Sequence, residues 1–135
     1  MDKKLKDSLS KIKLLICDID GVLTDGSFIK STSGEELRSF NALDGVGFVV
    51  LRLLDLNVKT AWITGRESLT TTQRAEELQI DDVYNGVIRK IDAYIELKKK
   101  YDLSDSEVCF IGDDIIDIPI LEKVGFAVTV PNAPK

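Results

Sequence analysis

Residues 14–26 read LLICDIDGVLTDG, a four-residue apolar run that gives way to three aspartates, Asp18, Asp20 and Asp25, around Gly21. The run is short, apolar and closed by a turn residue, which predicts a buried strand delivering its last side chains to the edge of a sheet. Carboxylates crowded at such an edge repel one another, since two unit charges about 4 Å apart interact by ~4 kcal/mol at an effective dielectric of ~20. The cluster therefore calls for a positive partner.

Working outward, the same reading gives strands at 12–18 (IKLLICD), 58–64 (VKTAWIT), 107–112 (EVCFIG) and 126–130 (FAVTV), with a brief one at 82–86 (DVYNG). Helical spacing runs between them at 45–57, 68–80, 90–103 and 114–124. In the first of these, Val46, Val49, Val50, Leu53 and Leu54 follow Asp44, a natural N-cap. Alternation of strand and helix predicts an α/β fold, a doubly wound, Rossmann-like parallel sheet with helices on both faces. One stretch breaks the alternation. SFIKS (27–31) and EELRSF (35–40) flank TSG and read as a β-hairpin turning at Gly34, a flap at about 26–40 that needs something to pack on. Leu5, Leu9 and Ile12 predict a short amphipathic N-terminal helix.

The chain of 135 residues is expected to form one domain, 1–135, around a single core. Its 44% hydrophobic and 30% charged residues, with no apolar run near the roughly 18 residues of a membrane span, are those of a soluble protein. The N-terminus lacks the pattern of a secretory signal, so the expected location is cytoplasmic. A net charge of −5 argues against nucleic acid as a partner. Two cysteines inside hydrophobic runs make neither a disulfide framework nor a zinc site. With no histidine, proton transfer falls to other side chains.

In parallel α/β folds, ligands gather at the carboxyl ends of the strands. Three predicted strand ends bring Asp18 and Asp20, Thr64, and the group Asp113, Asp114 and Asp117 to one edge. Oxygen donors alone favour Mg²⁺ as the relieving cation. An aspartate at a strand tip can attack phosphorus and form an aspartyl-phosphate, which makes Asp18 a candidate nucleophile. Asp20, two residues on, is placed to protonate the leaving oxygen and later to activate water. The hydroxyl of Thr64, main-chain N–H groups around Gly65, and Lys90 are candidate donors to the phosphoryl oxygens.

Each of these residues also has a plain structural reading. Asp114 suits a helix N-cap, Thr64-Gly65 an ordinary strand-to-turn transition, and Lys90 the solvated face it shares with Arg89 and Lys98 to Lys100. Asp25 and Asp44 suit turn and cap positions better than ligand positions. DxDG also occurs in calcium loops, but the ligand pattern of an EF-hand does not follow. The order of the motifs along the chain, DxD, Thr, Lys and GDD, favours catalysis.

That ordered set resembles the haloacid dehalogenase superfamily, in the stretch DIDGV from Asp18, in WITGR around Thr64, in Lys90, and in GDDIID with Asp113, Asp114 and Asp117. More narrowly, DGVLTDG, the hairpin, FNALDG from Phe40, ITGR and GDDIIDIPIL resemble the 3-deoxy-D-manno-octulosonate 8-phosphate phosphatases and related sugar-acid phosphatases, over about 11–134. The resemblance implies a phosphatase acting on that substrate or on a related nonulosonate 9-phosphate. It implies Mg²⁺ held by the Asp18 side chain, the Asp20 main-chain carbonyl and Asp113, with Asp114 and Asp117 outside the direct ligands, in or near the layer of groups that supports them. Thr64, Gly65 and Lys90 would bind phosphate. Arg66 is a candidate for the substrate carboxylate, or else forms a surface salt bridge. The resemblance further implies a homotetramer without an inserted cap domain, in which the hairpin of one subunit helps cover its neighbour's site. Relatives continue past the PNAP segment, Pro131 to Pro134, into a further helix and a glycine-containing tail that this sequence does not contain, so the expectation is a shortened chain. Two rival classes are a receiver-like phosphoacceptor, whose paired acids stand side by side and whose acceptor ends a later strand, and a non-catalytic assembly domain.

Overall fold

A computed structural model describes residues 1–134. In chain order the elements are α1 (Lys3–Leu9), β1 (Leu14–Cys17), β2 (Ile29–Lys30), β3 (Glu36–Leu37), α2 (Ala42–Leu53), β4 (Lys59–Thr64), α3 (Leu69–Leu78), β5 (Asp82–Asn85), α4 (Lys90–Tyr101), β6 (Val108–Ile111), α5 (Ile118–Leu121) and β7 (Phe126–Val128). Five strands form a parallel sheet in the order β5-β4-β1-β6-β7, with β1 in the centre. That is the doubly wound arrangement expected from the alternation, and it puts a strand-order reversal beside the tip of β1, where such sheets open a crevice.

Period-two alternation sorts the core onto the two faces. Leu14, Ile16, Ala61, Ile63, Val108 and Phe110 meet Ala93, Tyr94 and Leu97 of α4 and Ile120 of α5. On the other face Cys17 and Trp62 meet Phe48 of α2 and Ala75 and Leu78 of α3, with Phe40 stacked on Trp62 at 6.5 Å between ring centroids. The α2 side of β1 and β6 is less completely covered. There Leu15, Cys17, Leu43, Leu51 and Ile111 line an open apolar groove.

Four expectations are corrected. The helix expected at 45–57 begins at Ala42 and ends at Leu53; its N-cap is Asn41, whose side chain accepts the Leu43 N–H at 2.8 Å, and Asp44 lies in the first turn. Of its apolar positions, Phe48 is buried, whereas Val46, Val50, Leu53 and Leu54 are exposed. Gly45 allows close approach to Arg74 and Leu78, which rotates the buried stripe onto Gly45 and Phe48. The helix expected at 114–124 is instead a 3₁₀ turn, Ile115–Asp117, followed by the short α5, because Asp117 turns its side chain back to the preceding loop and Pro119 brings no N–H. The hairpin turns where expected, with Gly34 at φ +91°, but its ladder is only Ile29↔Leu37 and Lys30↔Glu36. With no third strand to extend it, pairing lasts only as far as the turn enforces it. The N-terminal helix stops at Leu9, short of Ile12, and buries no residue fully.

Candidate active site

The tip of β1 continues the parallel ladder by one residue, as the Asp18 N–H donates to the Ile111 carbonyl at 2.9 Å. That bond fixes Asp18 between the ends of β4 and β6. Its side chain is buried, accepts the Ile19 N–H at 2.7 Å and faces Lys90 Nζ at 2.9 Å. The chain then turns sharply on N–H groups of Val22, Leu23 and Thr24 that all point to the Ile19 carbonyl, with Gly21 at φ +90°. Gly21 serves a second purpose, because a Cβ there would lie 1.9 Å from Asp113 Oδ2. The DxDG loop and the GDD loop can approach this closely only across a residue without a side chain.

Asp117 is fully buried and organises the other half. Its Oδ1 accepts from Lys90 Nζ at 2.7 Å, and its Oδ2 accepts the N–H groups of Asp113 and Asp114 at 3.0 and 3.1 Å. Lys90 opens α4 but is 1% exposed, so the solvated-face reading of it is wrong. Oxygens of Asp18, Asp113 and Asp117 lie within 4.8 Å of one another. Asp114 stands apart, exposed and capping the 3₁₀ turn through the Ile115 N–H at 2.6 Å. Asp25 is a turn residue, holding the Ser27 N–H and hydroxyl.

Burial dominates the electrostatics. It pushes the Asp18 carboxyl up to about 7, against the opposing pull of Lys90. Burial also raises the Asp20 and Asp113 carboxyls. For Lys90 burial acts downward, but the Asp18 and Asp117 carboxylates outweigh it and hold the ammonium above its ordinary value. Asp117 already serves three donors, whereas Asp113 Oδ1 is buried with no partner among the described residues. An all-oxygen group with an orphaned carboxylate oxygen suits a hard divalent cation, and Asp18 and Asp113 are the side chains with donor capacity to spare.

At the end of β4 Thr64 is buried, and its Oγ1 accepts the Arg66 N–H at 3.3 Å. Gly65 lies between them at the turn. Arg66 is held bidentately by Glu36 of β3, at 2.7 and 3.2 Å, and its guanidinium lies 3.7 Å from the centre of the Phe28 ring. Asp20 is half-buried, and its Oδ2 faces Arg38 Nη2 at 3.3 Å. The sequence pattern did not single out Arg38, Glu36 or Phe28. In a polar hairpin all three read as solvent-facing, and the one signal was that an isolated hairpin must lie against something.

A family model for haloacid dehalogenase-like hydrolases matches residues 60–135. The chain belongs to this family. Among haloacid dehalogenase-like hydrolases it is 41% identical over 122 residues to the 3-deoxy-D-manno-octulosonate 8-phosphate phosphatase of Salmonella typhi, covering 90% of this chain and 64% of that protein. To the Yersinia pestis phosphatase of the same name it is 42% identical over 124 residues, covering 92% of this chain and 65% of that one. The chain thus spans a little under two thirds of the curated relatives it matches. The solved Yersinia pestis structure superposes with a TM-score of 0.92 at 38% identity, over 98% of this chain and 71% of that one. A Moraxella catarrhalis 3-deoxy-D-manno-octulosonate 8-phosphate phosphatase, solved with magnesium, phosphate and KDO, superposes with a TM-score of 0.93 at 33% identity, over 100% of this chain and 76% of that one. The architecture expected of a haloacid dehalogenase-like hydrolase is therefore present, and no helix among the described residues is long and apolar enough to cross a membrane.

Proposed function

We propose that the protein is a Mg²⁺-dependent phosphomonoesterase that frees inorganic phosphate from a small phosphorylated sugar acid through an aspartyl-phosphate at Asp18. The observation that carries this reading is the Asp18 carboxyl at the strand tip, 2.9 Å from a buried lysine and grouped with Asp113. An Asp18 oxygen bonds to phosphorus as the bond from phosphorus to the ester oxygen breaks, and Asp20 gives its proton to the departing oxygen. Asp20, now ionised, takes a proton from the water that attacks the aspartyl-phosphate, which returns both carboxyls to their starting state. Lys90 uses two of its three N–H donors on Asp18 and Asp117, so the third is free for a phosphoryl oxygen. The Thr64 hydroxyl and the N–H of Gly65 supply further donors. Mg²⁺, held by Asp18, Asp113 and the main-chain carbonyl of Asp20, would neutralise the carboxylates and the charge spread over the transferring group.

For the substrate, the relatives' names and the KDO-bound neighbour support 3-deoxy-D-manno-octulosonate 8-phosphate. Arg66 would bind the sugar-acid carboxylate with the fork it now offers to Glu36. A nonulosonate 9-phosphate presents the same two charged groups, so the test is kcat/KM across a panel of both types with Mg²⁺. The 8-phosphate should give the highest value, chelator should stop turnover, and Asp18→Asn should lower kcat on the order of 10³-fold or more. Normal phosphate release by Asp18→Asn would overturn the reading. The exposed Phe28, Ile29 and Leu37 support an assembly in which hairpins pack on neighbouring subunits as a homotetramer, which light scattering would read directly.

A further inference from the structure

Arg38 follows β3 on the hairpin, yet its side chain is 0% exposed and lies under the DxDG loop. Nη1 donates to Thr71 Oγ1 of α3 at 3.0 Å, a hydroxyl that is itself fully buried. Nη2 stands 3.3 Å from Asp20 Oδ2 and 3.3 Å from Glu36 Oε1. Neither Nη2 nor Nε completes a hydrogen bond, so the two 3.3 Å contacts are ion pairs, and Asp20 Oδ1 is buried without a partner. A guanidinium with no solvent access cannot touch substrate. It can only act on what it holds.

Resting on the phosphatase reading above, we infer that Arg38 is a positioning residue for the proton transfer by Asp20: its ion pair to Oδ2 holds the Asp20 carboxyl, whose side chain keeps 27% exposure, in place beside the leaving group. A carboxyl with two equivalent oxygens on a turn can rotate. A rigid planar fork, anchored at its other end to α3, restrains that rotation. The clamp also joins three parts of the chain, the DxDG loop, the hairpin and α3, so the hairpin contributes to chemistry as well as to cover. Glu36 shares the clamp, since it touches Arg38 while holding Arg66.

The test separates positioning from plain stability through the leaving group, because p-nitrophenolate departs without a proton whereas phenolate and a sugar hydroxyl gain from one. Arg38→Met should keep kcat/KM for p-nitrophenyl phosphate within about threefold and lose on the order of 10²-fold for phenyl phosphate and for 3-deoxy-D-manno-octulosonate 8-phosphate. Arg38→Lys, which keeps a cation, should recover most of that loss. Thr71→Val, which removes only the anchor, should show the same selectivity with a smaller loss. Equal losses on all three substrates in Thr71→Val and Arg38→Met, or no loss in either, would overturn the inference and leave the phosphatase reading intact. A wild-type protein that turns over none of the three would overturn that reading, and this inference with it.

Discussion

Lys90 and Asp117 form a pair that water does not reach, and each is costly to leave alone. Asp117→Ala would strip Lys90 of one carboxylate and leave the N–H groups of Asp113 and Asp114 unpartnered. Removing one member of a buried pair costs about 3–5 kcal/mol, and because Asp18 remains beside Lys90 the loss should fall at the lower end, read as a shift in the urea midpoint. Gly21→Ala tests a different residue-scale constraint. Its Cβ would occupy the space of Asp113 Oδ2 at a φ of +90°, so the variant should need a markedly higher Mg²⁺ concentration for half-maximal activity. The backbone strain adds about 1–3 kcal/mol of destabilisation. Asp18, Thr64, Lys90 and Asp113 were legible as candidates because each sits at or just beyond a strand end or at a helix start, where topology brings it to one sheet edge. Arg38 was not legible, because its burial depends on where the hairpin folds back, and nothing in EELRSF encodes that direction.

At the scale of the element, α2 shows how a cap can be misread. Asp44 precedes the apolar positions as an N-cap should, but Asn41 comes first and is extended, with its side chain on the Leu43 N–H. Asn41→Ala should therefore cost about 1 kcal/mol and Asp44→Ala less than about 0.5 kcal/mol, as thermal unfolding of the two variants would show. Spacing alone also failed to say which face of α2 is inside, since the stripe follows Gly45 and the contact it permits with Leu78. In the segment 114–124 the apolar periodicity is real but the helix is not. The side chain of Asp117 is committed to the GDD loop, and the 3₁₀ turn is the backbone that lets it reach.

For the whole molecule, the doubly wound parallel sheet was legible from alternation, and so was the meeting of the acidic loops at one sheet edge, while how tightly they approach depends on Gly21. Bringing those loops together has a thermodynamic cost that depends on pH. The Asp18, Asp20 and Asp113 carboxyls all have pKa values raised by burial, so the folded chain holds their protons more tightly than the unfolded one. Cation-free protein should accordingly lose stability as pH rises from about 4, where free aspartate ionises, through about 7. Mg²⁺ competes with those protons, so its stabilisation, about 2.7 kcal/mol at a hundredfold excess over Kd, should be larger at about pH 7.5 than at about pH 5. Thermal melts at the two pH values, with and without the ion, read this directly.

The grouping of Asp18, Asp113 and Asp117 around Lys90 also dictates a sequence of arrival. With all three acids ionised, one ammonium leaves the cavity doubly negative, and a phosphate dianion would be turned away at the entrance. On the phosphatase reading, the ion would come in ahead of the ester. Calorimetric titration with inorganic phosphate should therefore register heat only after magnesium has been added, and kinetics with both concentrations varied should fit a compulsory order with the metal first.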